Sequence, residues 1–232
     1  MNPIIEYHKK IQSGKEVTSD KIKKTYKHIV DDIINNSESE WEYDEDKASH
    51  AIEFIERFCK HSKGAMGGKP FLLELWQKAL VSAMFGIVHK LEGTRKYQEV
   101  VLIVARKNGK STLAAAVGLY LMIADGELGP EIFSVATKKD QAKIIWLEAK
   151  RMVQKSPVLR KRIKPLVAEM VSNFNDGVFK PLGRDSETID GLNVHGATFD
   201  EVHAWTDMNM YDVVVDGTSS RDNPLIFVTS TA

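Results

Sequence analysis

"VLIVARKNGKSTLAAA", residues 101–116, is an apolar run that breaks into a polar turn carrying one glycine and then resumes as an alanine-rich helical pattern. Extended back to Gln98, the β-branched run predicts a fully buried strand over 98–104. Forward to Ala124, apolar residues fall on nearly every face, which predicts a central helix over 109–124 packed on a central strand. Gly109-Lys110-Ser111 matches the end of the phosphate-binding turn G-x-x-x-x-G-K-S/T, but the first glycine of that pattern would fall at Val104, so the match is incomplete. The strand, turn, helix order supplies the physics of an anion site all the same. Backbone N–H groups at the helix start point outward, the helix dipole favours negative charge, Lys110 adds a mobile cation and the Ser111 hydroxyl suits Mg²⁺. Taken alone, this turn is better read as an ordinary helix start with an exposed lysine.

A second stretch changes that balance. In "GATFDEVHAW", residues 196–205, the run Ala197-Thr198-Phe199 reads as a strand over 196–200 that ends in Asp200-Glu201. Ligands collect outside the carboxyl ends of strands in open α/β sheets. An aspartate there holds Mg²⁺ through water and a glutamate orients and deprotonates an attacking water, and both tasks need an anion near a γ-phosphate. A lone acidic pair at a strand end is usually a solvated cap. Roughly 90 residues after a P-loop-like turn, the pair reads instead as a Walker B motif, with Asp200 and Ser111 on the metal and Glu201 as the base. His195 and His203 flank the same strand without a metal-ligand spacing, so neither is assigned to a metal.

From Phe71 onward short apolar strands alternate with helices, the signature of an α/β sheet. Strands are expected at 98–104, 131–136, 196–200 and 224–229, and helices at 71–88, 109–124, 138–154 and 207–215; residues 164–182 are ambiguous. Before that point the periodicity is helical, over 3–12, 19–35 and 46–61, with Thr18 or Ser19 as a cap and "KGAMGGKP" as a loop at 63–70. The expected architecture is a P-loop NTPase fold of α/β class, a mostly parallel sheet flanked by helices, over 63–232, preceded by an N-terminal helical region over 1–62. "DDIINNSESEWEYDED", residues 31–46, carries eight acidic residues and no basic one, and reads as a solvated helix end and linker rather than an acidic docking surface.

Composition limits the partners. Lys+Arg and Asp+Glu number 32 each, so attraction to a polyanion must come from a local patch. Residues 138–164 supply one candidate, with ten Lys/Arg against two Asp/Glu. The single Cys59 excludes an intramolecular disulfide and falls in a predicted helix as a small buried residue, which fits a reducing compartment. Charges come too early for a secretory signal and no stretch approaches the ~20 apolar residues of a membrane span, so an intracellular protein is expected.

With both motifs in hand, the chain resembles the large terminase subunit of tailed bacteriophages, the ATPase that drives DNA into the capsid. "YHKKIQSGKEVTSDKIKKTY" looks like that family's N-terminal helical region, "LWQKALVSAMFG" like its adenine-side helix and "VARKNGKST" like its variant Walker A turn. "IFSVATKKDQAKIIWLEAKRMV", "DSETIDGLNVHGATFDEVHAW" and "FVTSTA" follow in the family's order. The resemblance accounts for the missing glycine, because the variant turn carries arginine near its start. It implies ATP and Mg²⁺ as cofactors, with ATP bound by Gln77, Arg106, Lys107, Asn108, Gly109, Lys110, Ser111 and Thr112. It implies that Glu201, Lys110 and Arg106 carry catalysis, Arg106 as a cis-acting finger against a solvated alternative, an effect worth roughly 10³–10⁵ in rate for arginine fingers generally. Arg184 is a weaker candidate for a finger reaching a neighbouring subunit, against a structural salt bridge. Gln77 has an amide that both donates and accepts, as reading an adenine edge requires. Thr229-Ser230-Thr231 resembles the coupling motif that senses the γ-phosphate, against a plain turn.

The implied partners are double-stranded DNA, the portal protein, the small terminase subunit and further copies in a ring, with no membrane, in the cytoplasm of the infected bacterial host on the procapsid portal. A complete large terminase also carries a nuclease with a metal-binding acidic cluster. Nothing of that kind is read in this span, so DNA cleavage is not expected of it, and a strand at 224–229 ending the chain is expected to leave sheet contacts unmade. Two other readings compete with an ATP-hydrolysing translocase. One is a nucleotide-binding module that docks portal and small subunit without turnover, against which Lys110, Ser111, Asp200 and Glu201 argue together. The other is a helicase-type translocase, whose later motifs are missing here.

Overall fold

The computed structural model describes residues 2–183, 191–205 and 207–231. Two compact units interleave along the chain, residues 1–53 with 72–97, and residues 54–71 with 98–232.

The first unit holds helices α1 (Pro3–Gln12) and α2 (Asp20–His28), strand β1 (Trp41–Tyr43), the start of helix α3 (Glu45–Phe58), helix α4 (Leu75–Gly86) and strand β2 (Ile87–His89). Asn2 opens α1 by accepting from the N–H groups of Ile4 and Ile5 at 2.9 and 3.4 Å, and Ser19 opens α2 by accepting from Ile22 at 3.4 Å. The helical pattern of 19–35 is not one α-helix. It passes at Ile29 into a π-helix, Ile29–Ile34, whose wider turn keeps Ile29, Val30 and Ile33 in the core with Tyr7, Ile11 and Tyr26. Ala79 and Ala83 of α4 and Ile87 enter that same core. For this reason 72–97 groups with the N-terminal helices, and a single cut at 62/63 does not describe the chain. The acidic stretch 31–46 is also more than a linker, since Trp41-Glu42-Tyr43 pairs antiparallel with β2, Trp41 opposite His89 and Tyr43 opposite Ile87. The alternation of aromatic, acid, aromatic is strand chemistry embedded in linker composition.

The second unit is built on strands β3 (Glu99–Ile103), β4 (Glu131–Val135), β5 (Ile163–Pro165), β6 (Met170–Ser172), β7 (Val178–Leu182), β8 (Val194–Asp200) and β9 (Leu225–Ser230). Its helices are α5 (Lys110–Ile123), α6 (Lys139–Lys155), α7 (Pro157–Arg162) and α8 (Asn209–Asp216). The sheet runs β3-β9-β8-β4-β7-β6-β5; the first five strands are parallel, β6 runs against them, and β5 pairs antiparallel with β6. The ambiguous span 164–182 is this returning hairpin and β7.

Two expectations are corrected here. β9 is not left short of partners, because it pairs on both sides, with β3 and with β8. The bare edge belongs to β3 itself, where Val101 and Ile103 are 56% and 61% exposed, so the strand expected to be fully buried is covered on one face only. An apolar run records what a strand can bury, whereas strand order decides what covers it.

Helix α5 lies close on the sheet because small residues meet it. A Cβ on Gly118 would stand 2.8 Å from a ring carbon of Phe179, and one on Gly196 of β8 would stand 2.6 Å from Leu121 Cδ1. Phe133, Phe199, Val214 and Val228 are among the residues that close another core, to which α8 contributes.

Cys59 is fully buried, and burial pushes its thiol up to about 12 against a small opposing pull from Lys60. The expected outcome is that a disulfide reagent at pH 8 fails to modify the native chain and titrates one thiol after unfolding in urea. The check is absorbance of the released thiolate. An overbulky side chain at Gly118, such as Gly118→Leu, is expected to lower the urea midpoint by an amount corresponding to about 1–3 kcal/mol.

Candidate active site

The carboxyl ends of β3, β9 and β8 fall side by side. Ile103 is opposite Ser230, and Asp200 is opposite Thr229, so the ladder delivers the turn after β3, the end of β9 and the acidic end of β8 to one rim. From Ile103 the backbone bends through a turn in which Lys107 has φ 68° and Gly109 has φ 75°, the left-handed region that glycine enters freely and lysine does not. Asn108 stitches that turn, donating from Nδ2 to the carbonyls of Ala105 and Arg106 at 3.0 and 3.4 Å. Gly109 then caps α5, which starts at Lys110.

Lys110 is the centre of the arrangement. Its side chain is only 7% exposed, and Nζ donates to the Val104 carbonyl at 3.1 Å and to Thr231 Oγ1 at 2.9 Å. The Thr231 hydroxyl in turn donates to Glu201, whose Oε1 and Oε2 lie 2.7 and 2.8 Å away, and the Thr231 N–H adds a bond of 3.2 Å to Oε2. Lys110 Nζ is 3.8 Å from Glu201 Oε1. A cation, a hydroxyl and a carboxylate from α5, β9 and the end of β8 are thus connected in sequence.

The two carboxylates differ. Burial raises the Asp200 pKa, the Thr229 hydroxyl opposes it with a 2.9 Å bond to Oδ1, and the neighbouring Glu201 charge pushes it up further. Burial also raises Glu201, but the Thr231 hydroxyl, Lys110, His203 and the Thr231 N–H outweigh it, and the pKa is lowered. One aspartate sits where charge is costly, and one glutamate is held as the anion.

Arg106, Lys107, Gly109, Lys110, Ser111, Thr112, Glu201 and His203 line a cavity of about 480 Å³ at this rim. Three cations and the N-terminus of a 14-residue helix face it, so it fits a polyphosphate, with Ser111 and Asp200 as the groups suited to a divalent cation. Arg106 is exposed and its side chain bonds to nothing among the described residues. The Phe199 carbonyl, 3.1 Å from Thr229 Oγ1, shares that hydroxyl's one proton with Asp200, and Ser230 Oγ lies 2.9 Å from His203 Nδ1. His203 is the residue that sequence reasoning left without a task. Its signal was position, two residues past Glu201, and not a ligand spacing.

Other predicted residues lie elsewhere. Gln77, in the first unit, is 4% exposed and accepts from the Glu74 N–H at 2.9 Å, completing a capping box on α4; Nε2 remains as donor. Arg184 lies outside the described residues. His195, fully buried at the start of β8, pairs with Asp125 at 2.7 Å, beside Glu127, which pairs with Arg221 at 2.6 Å. Among the described residues no group of His, Cys, Asp and Glu is arranged to hold a metal, and no helix is long and apolar enough to cross a membrane.

A mostly parallel sheet with a lysine-bearing turn after one strand, an acidic pair at the end of another and an extra strand between the two defines the P-loop NTPase class of the additional-strand, catalytic-glutamate kind. The family model for the terminase large subunit, ATPase domain, matches residues 75–232, and the chain belongs to that family. It is 29% identical over 191 residues to the terminase large subunit of Enterobacteria phage HK97 and 26% identical over 237 aligned positions to that of Lactococcus phage p2. These alignments cover 80% and 99% of this chain, and 36% and 42% of those two proteins. The crystal structure of the HK97 bacteriophage large terminase superimposes with a TM-score of 0.67 at 26% identity, over 79% of this chain and 37% of that one.

Because burial and a neighbouring anion hold the Asp200 pKa above its ordinary value, its charge costs stability. That cost is absent below the unfolded pKa, where both states are protonated, and complete above the folded one. Asp200→Asn is therefore expected to raise the melting temperature at pH 7, by about 2–4 °C per kcal/mol relieved in a chain of this size. Differential scanning calorimetry at pH 7 and in acid checks it, and the gain should vanish in acid.

Proposed function

We propose that this chain is the ATP-hydrolysing motor portion of a phage DNA-packaging machine. The observation that carries the reading is the chain Lys110, Thr231, Glu201 at the carboxyl rim of three parallel strands. Lys110 and the N–H groups opening α5 bind the phosphates; Ser111 and Asp200 hold Mg²⁺, which when bound neutralises phosphate charge. Glu201, kept ionised, orients a water and takes its proton. Arg106 reaches the same cavity as a cation with no partner among the described residues and stabilises charge that develops on the transferred phosphoryl group. Gln77, whose Oε1 is taken by the Glu74 N–H, contributes Nε2 as the donor toward the adenine, and Arg184 a finger to a neighbouring copy. In the family's terms the work is translocation of double-stranded DNA, with portal and small subunit as partners and copies of this chain in a ring on the procapsid.

For the hold on DNA, part of the basic stretch is spent on internal partners and part is not. Lys143 pairs with Asp140 at 2.8 Å and Arg151 with Glu148 at 4.0 Å, while Lys150 lies over the Trp146 ring and donates to Leu166. Lys155, Arg160, Lys161 and Lys164 are exposed, and their side chains have no partner among the described residues. These four are proposed to contact DNA phosphates.

Glu201→Gln, assayed as the full-length protein with duplex DNA, is expected to keep ATP affinity and lose at least about 10²-fold in hydrolysis. Lys110→Ala is expected to lose both binding and turnover, and normal binding with normal turnover in that variant would overturn the P-loop assignment. Replacing Lys155, Arg160, Lys161 and Lys164 by Ala should weaken DNA binding and flatten its salt dependence by about 0.9 in log–log slope for each phosphate left without its cation. Fluorescence anisotropy over a salt series reads this directly.

A further inference from the structure

His203 is presented to the cavity by a short 3-10 turn, Val202–Ala204, immediately after Glu201. Its Nδ1 stands 2.9 Å from Ser230 Oγ and 3.1 Å from Glu201 Oε2. A carboxylate oxygen only accepts, so an unprotonated Nδ1 at this distance would set two lone pairs against each other. The ring therefore carries a proton on Nδ1; its hydrogen bond is with Ser230 Oγ, and the Glu201 carboxylate stands beside the same ring edge at ion-pair distance.

Glu201 needs such a holder. Its backbone is in the left-handed region, φ 50°, a conformation that a residue with a Cβ keeps only when its surroundings fix it. Its hydrogen-bond donors among the described residues both belong to Thr231, and the hydroxyl of the two also accepts from Lys110. Phosphates that recruit Lys110 draw away the cation that stands beside Thr231 and Glu201. The His203 contact does not involve Lys110.

We propose that His203 is a positioning residue for Glu201: it holds the carboxylate facing the cavity while Lys110 is engaged by phosphate, and through Ser230 it ties that orientation to the end of β9. The proposal rests on Glu201 acting as the base. His203 touches no reacting atom, so its effect is on the chemical step and not on nucleotide affinity.

The test uses the full-length protein with duplex DNA, measuring steady-state hydrolysis and the affinity of a fluorescent ATP analogue. His203→Ala is expected to lower kcat about 10- to 100-fold, the scale of a misplaced catalytic group, with analogue affinity within about twofold of wild type. His203→Asn places an amide nitrogen close to where imidazole Nδ1 was and is expected to recover most of the loss. Ser230→Ala is expected to slow hydrolysis in the wild-type background and to add little to His203→Ala. Wild-type kcat in His203→Ala, an Asn variant as slow as Ala, or a parallel collapse of analogue binding would each overturn the proposal. Glu201→Gln, run alongside, separates the failures. If it hydrolyses ATP normally, the base assignment falls and this proposal with it. If it is inactive while His203→Ala is normal, only the role of His203 falls.

Discussion

Register among three parallel strands is the constraint on which the site depends. Because Asp200 is opposite Thr229 and Ile103 is opposite Ser230, everything after those residues must emerge at one rim. Hydrogen bonding spaces the neighbouring strands by about 4.8 Å, so the turn after β3 and the acid at the end of β8 are separated by about two such steps. The end of β9, with Thr231 one residue past it, fills that interval. Thr231 is therefore no bystander: it is the group that bridges from Lys110 to Glu201 across it.

The energetics follow from that spacing. An ammonium as buried as that of Lys110 is costly unless it is bonded, and here a carbonyl and a hydroxyl satisfy it. Those bonds keep the lysine extended toward the rim with its charge only partly compensated, since the nearest carboxylate oxygen is 3.8 Å away. The backbone contributes too. Lys107 and Glu201 both adopt left-handed conformations outside glycine's ordinary province, one on each side of the cavity. Such conformations cost of order 1–3 kcal/mol each and persist where surrounding bonds fix them, as the Thr231 bonds do for Glu201.

Much of this was legible in the sequence because it is local. Gly109-Lys110-Ser111 and Asp200-Glu201 are each a few consecutive residues at a strand end, and their chemistry can be read without knowing the strand order. What the sequence hid is non-local. The edge position of β3 depends on β9, more than a hundred residues later, inserting beside it, and an apolar run carries no record of its neighbour. The bridge from Thr231 is invisible for the same reason. The hairpin over 163–172 was obscured by strands of three residues and by Pro165 at the end of one, too short for a period to be seen. His203 carries no spacing that marks it in the sequence, because its neighbours are a glutamate two residues back and a serine from another strand. Glu74 and Gln77, by contrast, carry a capping pattern that was available in the sequence.

The double pairing of β9 also limits how force can travel through this domain. A strand bonded along both edges cannot slide by a residue without breaking two ladders at once and turning every side chain to the opposite face. The body of the sheet is in that sense a stiff frame, with no stroke of its own. The freedom left at this rim lies where the ladders end, in side-chain rotations of the Thr231 hydroxyl, the His203 imidazole and the Glu201 carboxylate.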